Sequence, residues 1–375
     1  MQFGLSESQQ ILKDTARKFF ANESPIAHVR KLMETDTAYD PVLWQKLAEQ
    51  GFTGIIFPEE SGGMGLGMVE LVLLMEEAGY ALLPGPLFST LFAGAVLHTC
   101  GSDEQKQKYL LPICNGQARA TVAFLEANAS WNAGDLKMSA ASGKLNGTKL
   151  FVTDAAVANF ILAATAGGVY LVDAKARGVR IGPMKGMDLT RKIYSVEFSN
   201  ALAEKLSGNS SGLERALNIA TAALAAEMTG GMQRVLETAV AYAKTRKQFG
   251  KPIGIFQAVQ HMCADMYLET ESARSAAYYA AWALEENAPD AATSVSIAKM
   301  YASDAARTVG NRGIQVHGGM GFTWENDLHL YYRRAKTSET MLGDAAFHRE
   351  RIAKLVIDGK AGAGNSSKKE LAIAK

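Results

Sequence analysis

Apolar residues at helical spacing open the chain. Ile11, Leu12, Thr15, Phe19 and Phe20 fall near one face of a predicted helix over residues 5–22. Ser6 followed three residues later by Gln9 is a capping-box start, and Pro25 follows the end. A short helix is predicted at 42–50, with Trp44 and Leu47 on one side. Over 69–80 the apolar positions run nearly all round, from Leu71 to Met75, so that helix is expected to be buried. Pro84 and Pro86 end it, 87–98 is helical again, and Ser102 caps a helix over 103–113. The Gly-rich stretch 51–67 has no following Lys-Ser/Thr, so it reads as a connection and not a phosphate-binding loop. Residues 1–118 are therefore expected to be all-helical.

The period then falls toward two. Short runs at 122–124, 149–153, 160–164, 169–172 and 194–198 predict strands, and Gly143-Lys-Leu-Asn-Gly147 reads as a turn-strand-turn unit with Asn-Gly a strong turn signal. With no helices between them, they predict a small antiparallel β domain over 119–208. From residue 213 the helical period returns, with helices expected at 213–245, 256–286, 291–310 and 327–357. Four long helices with short connections describe a bundle over 209–358. Residues 359–375 are small and polar and are expected to form a flexible tail. The expected fold class is α+β: an N-terminal helical domain, a central antiparallel β domain and a C-terminal four-helix bundle.

Composition narrows the function classes. A length of 375 residues fits two or three domains. A formal net charge of +1, with no basic cluster interleaved with aromatics, argues against nucleic acid and anionic membrane as partners. No apolar run reaches the ~20 residues of a membrane span. Cys100, Cys114 and Cys263 form no CxxC pair, and the six histidines make no metal-ligand cluster, so no metal is expected. The chain start lacks a signal-peptide pattern, and the expected location is cytoplasmic.

Within this frame one stretch concentrates chemistry: Arg246-Lys-Gln-Phe-Gly-Lys-Pro-Ile-Gly-Ile-Phe-Gln257. Gly250, Pro252 and Gly254 break the helical period, which predicts a loop joining two helices. A guanidinium at that turn either caps carbonyls at a helix C-terminus or clamps a pyrophosphate or carboxylate.

Arg246-x-x-Phe-Gly-x-x-Ile-x-x-Phe-Gln257 resembles the helix-turn-helix signature of acyl-CoA dehydrogenases. Gln315-Val-His-Gly-Gly-Met-Gly-Phe-Thr-Trp-Glu325 is similar to that family's second signature. Leu5-x-Glu-x-Gln9 and Pro58-Glu-Glu-x-Gly-Gly-x-Gly65 are similar to its opening helices and loop. The resemblance covers residues 1 to about 357. It implies FAD between the β domain and the helical domains, completed by a neighbouring subunit, in a homodimer, a homotetramer or a heterotetramer with a related chain. It implies α,β-dehydrogenation of an acyl-CoA substrate to the 2-enoyl-CoA, with electron-transfer flavoprotein as electron acceptor. Carried over by position, Arg246 binds the pyrophosphate, Phe249 packs on the adenosine and Gln257 contacts the cofactor. Gln315, Gly318 and Gly319 make the dimer partner's adenine-side contact. Thr153 reaches the flavin ring with Phe151 against it. Leu125 stands where the family has a flavin-contacting Thr.

The family chemistry needs a carboxylate to take the proton α to the thioester. The residue at that position here is Leu342, and the family's minority position, counted back from Arg246, is Ala220. Two carboxylates lie near. Glu227, two turns beyond Ala220 in an apolar setting, is either a buried base with raised pKa or a partner of a neighbouring helix. Asp344 follows Leu342 by two residues and is either a short base or a polar contact of the helix face. Arg333, Arg334 and Lys336 are read as packing and ion-pair residues. With both usual positions empty, the alternative is a non-catalytic subunit that completes the FAD site of a heteromeric acyl-CoA dehydrogenase.

Overall fold

In the computed structural model, which describes residues 4–358, the chain runs from helices to strands and back to helices. The first group is α1 (Glu7–Glu23), α2 (Ile26–Met33), α3 (Pro41–Glu49), α4 (Met68–Tyr80), α5 (Leu87–Cys100) and α6 (Asp103–Cys114). α1 starts on the predicted capping box: Gln9 donates its backbone N–H to Ser6 Oγ, and the Gln9 side chain accepts from Ser6 N–H. The pattern missed α2. Pro25, read as following a helix end, also opens the next helix, because its missing N–H costs nothing there.

The β region forms two four-stranded sheets. Its strands are β1 (Ala120–Ala123), β2 (Ala140–Ala141), β3 (Lys144–Thr153), β4 (Phe160–Thr165), β5 (Gly168–Asp173), β6 (Val179–Met184), β7 (Ile193–Leu202) and β8 (Glu204–Lys205). The sheet orders are β1-β4-β5-β8 and β2-β3-β7-β6. All pairs are antiparallel except β1–β4, which is parallel. Leu145, Val152, Ile161, Val172, Val196 and Phe198 meet in a core of their own. The turn expected at Asn146-Gly147 is not there. The turn expected at Gly143 is: Ser142 and Gly143 both have positive φ and close the β2–β3 hairpin. Asn146 instead sits in β3 beside a register shift, its side-chain oxygen accepting from Asn200 N–H.

α7 (Ser210–Thr245) is the longest element, 36 residues, and it packs against α4, α5 and the helices that follow it. The 246–257 stretch is a tight β-hairpin, β9 (Lys247–Gln248) with β10 (Lys251–Pro252). Then come α8 (Gln257–Glu285), α9 (Ala291–His317), α10 (Leu328–Thr340) and α11 (Ala345–Ala353). α9 runs past the predicted stop at Gly310, because Gly310 is a packing position: a Cβ there would meet the Tyr332 ring at 2.6 Å. The single helix expected over 327–357 is broken into α10 and α11, with Leu342 and Gly343 both left-handed and Asp344 capping α11. The tail expected at 359–375 lies outside the described residues.

α4 and α7 cross backbone against backbone. A Cβ on Gly79 would come within 1.9 Å of Glu227 O, and one on Gly230 within 1.8 Å of Glu76 O. Only glycine permits that approach. It fixes the height of Glu227 on α7 relative to the N-terminal helices.

Candidate functional site

A cavity of about 410 Å³ opens where β3 ends, between the sheets and the α10–α11 turn. Phe151 and Thr153 line it from β3, Leu125 and Trp131 from the loop after β1, and Met341, Gly343 and Phe347 from the helical side. The β3–β7 register shifts between Lys149 and Val152, and Phe151 adopts a left-handed φ of 54° at that bulge. Phe151 stays half exposed, facing the cavity. Thr121 Oγ donates to Thr153 O at 2.7 Å, which holds the strand end in place. The Thr153 hydroxyl has no partner among the described residues and is free to meet a bound group.

The loop that carries Leu125 and Trp131 is anchored from below. Lys149, fully buried, donates to Phe124 O at 2.9 Å and to Glu126 Oε1 at 2.8 Å. Burial lowers the Lys149 pKa in spite of that carboxylate. Glu126 in turn accepts the backbone N–H groups of Lys137 and Met138.

The opposite wall is the turn at 341–344, held through carbonyls of the turn and of the end of α10. Trp131 Nε1–H donates to Thr340 O at 3.2 Å. His348 Nε2 bonds Leu342 O at 3.0 Å, and Lys299 Nζ donates to Gly343 O at 2.9 Å and to Glu339 O at 3.0 Å. Burial pulls the Lys299 ammonium down to about 7. Burial, aided by Lys299, pushes His348 down to about 3, so its imidazole is neutral. Asp344 Oδ1 accepts from Phe347 N–H at 2.8 Å and is the N-cap of α11. Its Oδ1 thus serves as a helix cap, while the side chain also lines the β3 cavity. Leu342 is buried and lines a second cavity of about 470 Å³, together with Leu217 and Thr221 of α7.

Glu227 corrects an expectation. It is buried, as its apolar setting predicts, but it is not a lone carboxylate. Arg191 Nη2 donates to both its oxygens at 2.6 and 2.8 Å, and Arg334 Nη1 donates to Oε1 at 2.6 Å. Burial pushes the carboxyl up, but the two guanidiniums outweigh burial and hold it below the ordinary carboxylate range. A general base with raised pKa is the opposite case, and Glu227 does not line the cavity at β3. Arg334 also donates to Asp188 Oδ2 at 2.5 Å and to Thr190 Oγ, as the ion-pair reading of that residue expects. Arg333 lies over the Trp324 ring, and Lys336 pairs with Glu339 at 2.6 Å.

The remaining predicted residues gather elsewhere. Arg246 ends α7, where its backbone N–H bonds Tyr242 O. Its guanidinium is exposed and makes no ion pair among the described residues. Phe249 is 89% exposed and Gln257 is exposed. The Gln315–Gly319 turn lies beside them: Tyr242 of α7 stacks on His317 of α9 with ring centroids 4.4 Å apart. Gln315, Gly318 and Gly319 are exposed, and a Cβ on either glycine would meet nothing within 4 Å. Arg246 stands roughly 28 Å from Glu227 along α7, and the two cavities lie toward the other end of that helix. One chain therefore brings Thr153 and Phe151 together at the cavity, and Arg246, Phe249, Gln257, Gln315, Gly318 and Gly319 together on a distant surface. It does not join the two groups.

Sequence reasoning missed Trp131, Arg191 and Lys299. Lys299 carried a signal, a cation set among the small and apolar residues at 291–303 of α9. Trp131 and Arg191 sit in loops, where no periodicity marks them.

Residues 6–117 match the family description "Acyl-CoA dehydrogenase, N-terminal domain", and residues 211–357 match "Acyl-CoA dehydrogenase, C-terminal domain". The chain is 32% identical to "Acyl-CoA dehydrogenase IpdE2" of Mycolicibacterium smegmatis, over 94% of this chain and 98% of that one. The ChsE4-ChsE5 complex from Mycobacterium tuberculosis contains a similar fold, with a TM-score of 0.86 at 28% identity, covering 94% of this chain and 98% of that one. The structure of PigA with FAD and proline also superimposes, with a TM-score of 0.86 at 26% identity, covering 94% and 98%. No described helix is long and apolar enough to cross a membrane.

Proposed function

The chain belongs to the acyl-CoA dehydrogenase family, and from that premise we propose that it takes part in the FAD-dependent α,β-dehydrogenation of an acyl-CoA thioester to the 2-enoyl-CoA. The observation that carries this reading is the cavity at the end of β3, with an aromatic ring and an unpaired hydroxyl on one wall. The residues present fit a flavin: Thr153 offers a hydrogen bond to a ring heteroatom, Phe151 offers a face, and Leu125, Ile193 and Met341 keep the rest apolar. FAD, when bound there, supplies the acceptor for the hydride from the β carbon. In this reading its electrons pass on to an electron-transfer flavoprotein.

The exposed group at the far end of α7 serves a flavin held by another chain. Arg246 supplies a charge for a pyrophosphate, Phe249 a ring for the adenosine, and Gln257 and Gln315 polar contacts. Gly318 and Gly319 let backbone approach closely. That the two groups are far apart within one chain supports a site shared between subunits. Arg246→Ala is expected to weaken FAD binding about 10- to 100-fold, the loss of a charge-assisted contact. Thr153→Val is expected to weaken it about 2- to 10-fold. Recovery of free-flavin fluorescence on dilution reads both, and unchanged affinity in both variants overturns the flavin reading.

One observation favours a particular form of this activity. Asp344 is the one carboxylate lining the β3 cavity among the described residues, and it caps α11. Glu227 is held ionised between two arginines, and Leu342 stands at the family's proton-accepting position. The chain therefore completes a flavin site in a heteromeric acyl-CoA dehydrogenase, in which a related chain supplies the proton acceptor.

A further inference from the structure

Two cavities meet at one indole. The cavity at β3 and the cavity beside Leu342 share Ser130, Trp131 and Phe347 as lining. Phe151, Thr153 and Ile193 face only the first; Leu217, Thr221 and Leu342 face only the second, whose lining also includes the charged Asp135, Glu214, Glu350, Arg351 and Lys354. Trp131 spans from the β domain to the bundle. Its ring stacks on Phe124 with centroids 5.2 Å apart and 19° between planes, and its N–H donates to Thr340 O at the end of α10. The loop beneath it is braced by Ser130 Oγ to Asp135 Oδ2 at 2.6 Å and by Asn128 Nδ2 to Asp135 O at 3.0 Å. Phe347, in the first turn of α11, closes the other side against His348.

We propose that Trp131, with Phe347, is a partition that keeps an acyl group seated beside Leu342 away from a flavin seated at Thr153 in the same chain. This rests on the flavin reading above. Dehydrogenation needs the Cα–Cβ bond to face the flavin and a proton acceptor together. Here an indole held at two points stands between the two compartments. Releasing it costs a stacking contact and a hydrogen bond, so the closed arrangement is the ground state. The chain keeps a flavin pocket whose own thioester side is walled off.

The test is a chain-length series of butanoyl-, octanoyl- and dodecanoyl-CoA, titrated by calorimetry into the FAD-loaded protein while its flavin spectrum is recorded. Each added methylene that finds apolar room tightens binding about fourfold. In the wild type, affinity should stop rising once the Leu342 cavity is full, and the flavin band should stay unperturbed. In Trp131→Ala the rise should continue, with dodecanoyl-CoA bound about tenfold tighter or more than by the wild type, and the band should shift. Trp131→Phe keeps a ring in place and should behave as the wild type. Phe347→Ala opens the same wall from the bundle side and serves if Trp131→Ala does not fold. Equal dodecanoyl-CoA affinity in the opened variants and the wild type overturns the partition, as does a wild-type flavin band that already shifts. If no form holds FAD, the flavin reading fails, while the calorimetric series still decides whether the wall exists. FAD-loaded protein that binds no thioester in any variant overturns the proposal.

Discussion

Arg334→Met should lower the free energy of unfolding by about 3–5 kcal/mol. Arg334 is buried, and its guanidinium bridges two carboxylates on different parts of the chain, Glu227 of α7 and Asp188 of the loop before β7. Removing it leaves Asp188, whose Oδ1 already accepts from the Thr190 N–H and hydroxyl, without its cation. Glu227 keeps only Arg191. Methionine refills much of the volume, so the loss reports the uncompensated charge and not a cavity. Denaturant unfolding followed by tryptophan fluorescence and by circular dichroism checks it. The same network sets an acid limit. Glu227 has its pKa depressed in the fold, so the stability it contributes is present above the unfolded-state carboxylate pKa and is lost as pH falls through the folded value.

Asp154→Asn is expected to act in the opposite pH direction. Asp154 is fully buried beside Thr153, Ser89 Oγ donates to its Oδ2 at 2.7 Å, and its Oδ1 has no partner. Arg191, Arg334, Asp188 and Tyr194 are the charged and titratable groups around it. Burial pushes its carboxyl up to about 6, against Ser89 and the two arginines. Between the unfolded value and 6 the folded state holds the extra proton. Stability from this group is thus full below pH ~4 and is lost as pH rises through 6, to roughly 3 kcal/mol. Asparagine carries no charge and tolerates the left-handed φ of 55° at this position. The variant should match the wild type at pH 4 and exceed it by up to ~3 kcal/mol at pH 8. Unfolding curves at the two pH values decide it, and a stability difference that is the same at both contradicts the assignment.

How much of this was legible follows from how local each feature is. The α1 start needed only Ser6 and Gln9, three residues apart, and its hydrogen bonds are as read. Leu71 to Met75, apolar all round, said that α4 is buried, and it is. Glu227 was read as buried from its neighbours on α7, but its arginines stand 36 and 107 residues away in the chain. No local pattern announces such a partner, and the pairing reverses the direction of the pKa shift. Asn146-Gly147 failed as a turn because the pairing of β3 with β7 overrode a local preference, and Ser142-Gly143 closed the hairpin first. The break at 341–344 did carry a signal, a Gly followed by an N-capping Asp, but it was concealed inside a helical run. Thr153 and Arg246 were singled out through motifs; Thr153 lines the β3 cavity and Arg246 lies on a distant surface. Trp131 was out of reach, because its role arises only when the loop after β1 folds back against α10.

The direct test is an anaerobic titration of the purified, FAD-loaded chain with acyl-CoA thioesters of increasing length, watching the flavin absorption band. On the proposal that Leu342 stands in place of a proton acceptor, the band of the chain alone should remain unbleached by every thioester, and it should bleach when a related chain carrying a glutamate at that position is co-purified with it. Bleaching of the isolated chain by any of these thioesters contradicts the assignment of the proton acceptor to a partner.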